Sequence, residues 1–333
     1  MKLTAEQISF FKDNGYLLLK NVLDLTQCEA VMDRVWDSLP ETNHLKKDDP
    51  NTHVGPFEVN EEQDSSLNLR MGYRWQIREF STEPELLDLV FSKNLLGVAE
   101  QLLGEDMVEP PVPHGKPMGH AGPAWPGGPV DPADTQGIRG VYCTLPYGDQ
   151  PREADTGHTD GHPFNLGVVG LLGDVSKEGG AFKVWPRSHR RLYPTFQMQY
   201  DQPRIPFYEH LPSYKGIIHS QAYLDELEAV MQDTSPVDCH GEAGDIVLWH
   251  HRLAHMAGHN YSRVIRQAVL SDFVRKDLDT CRLDPPQKNM WRDWSTQVQG
   301  CNAGYSKAFA LEQRLPKELL SAPVEIGTGF QQA

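Results

Sequence analysis

Apolar residues change their spacing along the chain, and the changes mark out its elements. In LTAEQISFFKDNGYLLLK, Ile8, Phe10 and Phe11 follow Thr4, with Gln7 three residues after it. Thr at the N-cap and Gln at the third helical position can satisfy each other's backbone N–H groups, so this is a capping box opening a short helix. Gly15 ends that helix. Tyr16 to Lys20 then reads as a strand, and Thr26 to Leu39 as an amphipathic helix. A third helix is predicted from Pro84 to Leu103, with Pro84 in its first turn and Gly104 at its C-terminal cap.

From about residue 138 the pattern becomes short apolar runs bounded by turn signals: GVYCTL, NLGVVGLLGDV, GAFKVW, GDIVLW and RQAVLSDF. Many short strands with Gly, Pro and Asp between them indicate an all-β barrel or sandwich. Residues 109–137 are different, dense in Pro and Gly and without apolar periodicity. They cannot be a helix or a central strand. Either they form a surface linker or they close over an active site, and loops of this length in compact domains favour the second. Met118, Trp125, His114 and His120 would give such a lid its substrate contacts. The organisation predicted is one catalytic domain over 1–333. Residues 1–108 support it, 109–137 form the loop, 138–282 the β core and 283–333 a peripheral helix-and-loop extension.

Composition changes this picture little. Hydrophobic residues make up 39% of the 333 and charged residues 23%, enough for a packed core. The net charge of -15 repels phosphate backbones and anionic membranes, which points to a small-molecule partner rather than nucleic acid or a membrane. Five cysteines without a CxxC pair suggest neither a disulfide framework nor structural zinc. With a polar N-terminus and no long apolar run, the expectation is a soluble, cytoplasmic protein.

The candidate chemistry begins at DTGHTDGHPF. In extended backbone His158 and Asp160 share a face, and an imidazole and a carboxylate with a second, distant His make the facial triad of iron(II) oxygenases. GDIVLWHHRLAHMAGHNYSRVIRQAV supplies candidates for that second His: His250, His251, His255 and His259. It also holds Arg266, on the strand after a Gly-His-Asn turn. Arginine is the side chain suited to gripping a carboxylate through two hydrogen bonds. Arg263 competes with it, but a spacing of three places the two on opposite strand faces.

Taken together and in order, these segments resemble the phytanoyl-CoA dioxygenase family. The matches are His158-Thr159-Asp160, Gly173-Asp174-Val175, Gly179-Gly180, Pro186-Arg187-Ser188-His189, Gly244-Asp245, His255 and Arg266, over roughly residues 138–275, with a similar N-terminus over 4–40. Arg187 stands where the family has Gly, and His259 where it often has Pro. The resemblance implies a mainly β fold with flanking helices around a double-stranded β-helix, or jelly roll. It implies a 2-oxoglutarate-dependent dioxygenase using iron(II), 2-oxoglutarate and oxygen and releasing succinate and carbon dioxide. His158, Asp160 and His255 would be its catalytic metal ligands, since His255 alone combines the family position with the spacing to Arg266. Arg266 would bind the co-substrate, with Ser262 assisting. His162, Phe164 and Trp125 are the candidate substrate contacts. Hydroxylation of a small molecule, specialised metabolites among the candidates, is the expected outcome. The rival readings are a cupin-type metal enzyme that does not use 2-oxoglutarate and a non-catalytic binding protein on the same scaffold.

Overall fold

The computed structural model describes residues 1–65, 67–117, 138–200 and 220–320. Residues 118–137, with Met118, His120 and Trp125 of the expected lid, lie outside the described residues.

The chain opens with α1 (Ala5–Asn14), β1 (Tyr16–Leu19) and α2 (Leu25–Asp37). Thr4 Oγ1 accepts from the Gln7 amide and Gln7 Oε1 from the Thr4 amide, the reciprocal cap expected from the sequence. A meander of β2 (Gln63–Asp64), β3 (Asn68–Met71) and β4 (Arg74–Ile77) follows, then α3 (Pro84–Val90) and α4 (Lys93–Leu103). The single helix predicted over 84–103 is therefore two. Ser92 leaves helical backbone and its hydroxyl accepts from the Leu95 amide, so it caps a new helix where apolar spacing alone shows no break.

The β-rich half contains β5 (Gly140–Thr144), β6 (Leu166–Leu171) and β7 (Phe182–Val184). After α5 (Ser188–Leu192) and α6 (Gln221–Asp233) come β8 (Val237–Cys239), β9 (Ile246–His250), β10 (His255–Ala257) and β11 (Arg266–Phe273). Short helices α7 (Leu278–Cys281), α8 (Thr296–Gly300) and α9 (Lys307–Glu312) finish the described chain.

These strands form two antiparallel sheets. The larger runs β1-β9-β6-β11-β5-β4-β3-β2 and the smaller β10-β7-β8. The smaller sheet gains a fourth member at its β10 edge, where His158 and His255 exchange backbone hydrogen bonds of 3.0 and 2.9 Å. From β5 onward the chain visits the large sheet, the His158 segment of the small one, β6 in the large, β7 and β8 in the small, then β9, β10 and β11 in alternation. That is the winding of a jelly roll. It is a sandwich of two sheets with extra strands on both edges of the larger one, not a closed barrel. At Gly140 the backbone is left-handed (φ 111°), and an added Cβ would stand 2.0 Å from the Ile77 carbonyl. Glycine is what lets β4 join β5 at this point.

The C-terminal extension does more than decorate the surface. β1 is an edge strand of the large sheet, and the Gln313 side chain bonds both the Leu18 amide and the Leu18 carbonyl, at 2.7 and 3.2 Å. This covers an edge that would otherwise offer unpaired backbone groups. Arg187 takes left-handed backbone (φ 69°) and donates to the Leu319 carbonyl. Among the described residues no helix is long and apolar enough to cross a membrane.

Candidate active site

His158, Asp160 and His255 converge. One ligand atom from each lies within 4.8 Å of the other two. The HxD segment was expected as a regular strand, but among the described residues its strand pairing is the single bridge to β10. That bridge suffices, because it sets His158 beside His255 directly. Thr159 between the ligands points the other way, its amide and hydroxyl bonded to the Tyr223 hydroxyl of α6 at 3.2 and 2.9 Å. Helix α6 thus fixes the extended turn that aims His158 and Asp160 together.

His255 Nδ1 lies 2.9 Å from the Leu253 carbonyl, which can only accept, so Nδ1 carries the proton. In the neutral ring Nε2 is then a bare lone pair, 3.4 Å from Asp160 Oδ2. Two electron-pair donors facing each other at that distance suit a cation between them. Phe182 and Trp249 pack on the His255 ring at 5.3 and 5.6 Å and leave 5% of the side chain exposed. His158 is the open ligand, with a third of its side chain reaching solvent. Burial, followed by its neighbour His255, still shifts it toward the neutral form a metal requires.

A buried charge network stands behind the carboxylate. Arg139 donates from Nη2 to Asp160 Oδ2 at 2.6 Å and from Nε to Asp272 Oδ2 at 2.7 Å. His162 Nε2 meets the same Asp272 oxygen at 2.6 Å. Burial alone would raise the Asp160 carboxyl, but Arg139 and then His255 hold it well below the usual carboxylate range. Burial alone would lower Arg139, and the two aspartates instead raise it. The sequence reading missed Arg139 and Asp272. Asp272 had a signal, since it lies six residues along β11 from Arg266 and therefore on the same face.

Arg266 presents the opposite case. It is 5% exposed, donates from Nε to the Gly180 carbonyl at 3.1 Å and from Nη1 to the Tyr142 carbonyl at 3.3 Å, and meets no carboxylate among the described residues. Burial without a counter-charge pushes it down to about 10. Gly180 is left-handed (φ 70°), and a Cβ there would lie 2.9 Å from Asn260 Cβ, so the turn that presents its carbonyl depends on glycine.

The remaining candidates fall elsewhere. Phe164 was expected to touch substrate, but it is fully buried, edge-on to His251 at 4.4 Å and under Arg139 at 5.1 Å, and belongs to the core. His162 serves the Asp272 network. Ser262 was expected to assist Arg266, yet its hydroxyl donates to Asn260 Oδ1 at 2.7 Å and braces the turn. Arg263 is exposed. His250 stacks on Trp294 at 5.4 Å, His251 donates from Nε2 to the His162 carbonyl at 2.8 Å, and His259 faces Glu153 at 3.2 Å.

A jelly roll with this donor set between its sheets defines the class of non-haem iron, 2-oxoglutarate-dependent dioxygenases. Residues 148–268 match the family described as Phytanoyl-CoA dioxygenase (PhyH). No curated protein matches the chain. Among solved structures it is similar to the non-heme alpha ketoglutarate dependent carbocyclase SnoK from nogalamycin biosynthesis, at 20% identity and a TM-score of 0.45, covering 86% of this chain and 93% of that one. It is also similar to EctD from S. alaskensis with bound Fe, at 17% and 0.47, covering 82% and 76%. A third is AviO1 from Streptomyces viridochromogenes Tue57, at 16% and 0.43, covering 81% and 94%.

Proposed function

We propose that the protein, acting as one catalytic domain, holds iron(II) through His158, Asp160 and His255 and 2-oxoglutarate through Arg266, and hydroxylates a small-molecule substrate. The observation that carries the reading is Arg266. A buried guanidinium that meets only two backbone carbonyls among the described residues is costly unless an anion joins it. The far carboxylate of 2-oxoglutarate is such an anion, and the arginine fork matches it.

Iron(II) and 2-oxoglutarate supply oxygen activation coupled to decarboxylation, with succinate and carbon dioxide released. The chain supplies position. Leu253 fixes the His255 tautomer, so that Nε2 is always presented. Arg139 keeps Asp160 anionic and restricts its rotation. Trp249 and Phe182 form a wall that keeps water from the inner ligand. The open side at His158 is where substrate would approach. Specialised metabolites are among the substrates this arrangement could take.

The test is anaerobic. Iron(II)-loaded protein is titrated with 2-oxoglutarate while the metal-to-ligand absorption band is followed, and succinate release is then measured in air. His158→Ala, Asp160→Ala and His255→Ala should each lose iron while remaining folded. An absorption band that never appears, or iron retained by His255→Ala but lost in His251→Ala or His259→Ala, rules the assignment out.

A further inference from the structure

The face of the large sheet that carries Arg266 holds more positive charge than the co-substrate accounts for. Residues paired across antiparallel strands stand side by side on one face. Arg266 pairs with Thr144 and Thr144 with Arg74, while Ala268 pairs with Tyr142 and Tyr142 with Gln76. Two residues beyond Gln76, just past the end of β4, Arg78 follows in the row. It is 6% exposed. Its Nε donates to the Arg139 carbonyl at 3.0 Å, and its Nη2 meets the Tyr142 hydroxyl. Its Nη1 is buried and has no hydrogen-bond partner among the described residues. No carboxylate pairs with it among the described residues.

Charge around the centre can be followed group by group. Three buried guanidinium groups, Arg78, Arg139 and Arg266, face two carboxylates, Asp160 and Asp272. Iron(II) and the 2-oxoglutarate dianion cancel each other. Among the described residues the loaded site therefore keeps one buried positive charge without a carboxylate partner, and it sits on Arg78. In a chain of net charge -15 this is a local inversion of sign.

We propose that Arg78, with the Tyr142 hydroxyl and Gln76 beside it, is the subsite for an anionic group of the substrate, a carboxylate or a phosphate. The inference rests on the iron and 2-oxoglutarate reading and deepens it by naming the substrate's chemical class. Tyr142 links the two functions, because its carbonyl accepts from Arg266 while its hydroxyl meets Arg78. A substrate anchored at Arg78 lies alongside the co-substrate instead of competing for its arginine. The other role open to Arg78 is to brace Tyr142 and the Arg139 carbonyl, and the two roles differ in what they do to anion binding.

Inorganic phosphate is the first probe. It is titrated by calorimetry into apoprotein and into protein loaded with nickel(II) and 2-oxoglutarate, for wild type, Arg78→Gln and Arg78→Lys. Phosphate should bind the wild type in both forms. Binding should weaken at least ~10-fold in Arg78→Gln, as when one charged hydrogen-bonding partner is removed, and be largely retained in Arg78→Lys. The second arm separates the two anions. Carboxylic acids with their amides, and phosphate monoesters with their alcohols, are compared for stimulation of succinate release. One acid type should stimulate where its neutral counterpart does not, with the loss in Arg78→Gln appearing in KM more than in kcat. Phosphate that fails to bind wild type, binds Arg78→Gln equally well or displaces 2-oxoglutarate overturns the subsite. So do neutral counterparts that stimulate as strongly as their acids. Wild type that takes nickel but no 2-oxoglutarate sinks the reading of Arg266 instead, and the apoprotein titration still decides Arg78. Should Arg78→Gln not fold, Arg78→Lys and the matched pairs carry the test.

Discussion

Arg139 immediately precedes β5 and Arg266 opens β11 of the same sheet, 7% and 5% exposed, and their surroundings could hardly differ more. Arg139 is held by Asp160 and Asp272 and is raised above its ordinary value. Among the described residues Arg266 has only carbonyl partners, and burial pushes it down to about 10. A buried cation with its counter-ions in place is part of the architecture. A buried cation without one is a candidate for binding an anion, which is the role proposed for Arg266. The comparison separates positioning from binding without reference to sequence motifs.

The largest effect expected follows from breaking the paired arginine. Arg139→Met leaves two carboxylates buried without their cation and should cost about 3–5 kcal/mol of stability, read from chemical denaturation. A neutral outcome would mean that water or rotation satisfies the aspartates and that the pairing is incidental.

Breaking the unpaired arginine should look different. Arg266→Met should leave apoprotein stability unchanged or higher, because it removes a buried charge that nothing offsets. The same variant should weaken 2-oxoglutarate binding by about 2–4 kcal/mol, with iron affinity moving far less. Unchanged affinity for 2-oxoglutarate would transfer the role to another cation.

Histidines extend the comparison, because a buried imidazole without a counter-ion can simply lose its proton. Burial, and then Arg252, lower His250 to about 3, and His251 is depressed for the same reasons. A group whose folded pKa is depressed in this way binds its proton on unfolding once the pH falls below about 6.5. Stability is therefore full above that pH and declines as pH falls toward 3. His250 alone should cost about 2 kcal/mol at pH 5 relative to pH 7. Melting of the apoprotein across that range checks it, and His250→Gln should flatten the decline.

The smallest change sharpens the paired side. Asp272→Asn keeps shape but removes one of the two charges on Arg139, and it should weaken iron(II) binding roughly 10-fold, the low end for a residue behind a metal ligand. Trp249, packed on His255, offers a fluorescence reading of metal affinity that does not depend on turnover. Iron affinity equal to wild type would show that Arg139 holds Asp160 without help from Asp272.

Local sequence carried the elements well, because caps and turns are local chemistry. Thr4 with Gln7 and the apolar runs of β5, β6, β9 and β11 lie where the pattern puts them. It carried the break at Ser92 poorly, since a capping serine inside a helical pattern resembles an exposed polar residue. Phe164 shows the same limit in the site. A phenylalanine two residues from His162 reads equally as a substrate wall or as core, and only packing against His251 and Trp249 decides.

By itself the sequence determined the types and order of the chemical groups: an imidazole and a carboxylate two residues apart, a distant His, and an Arg on the following strand. It also determined the period-two face that Arg266 shares with Asp272. Tertiary structure alone decided which charges meet. Arg139, Asp160 and Asp272 are far apart in the chain, and no local pattern predicts that they share hydrogen bonds. Nor does any local pattern leave Arg78 and Arg266 without carboxylates. Whether a buried ion is structural or binds a ligand depends on its counter-ion and its access to water, and both are set by the packing of the two sheets.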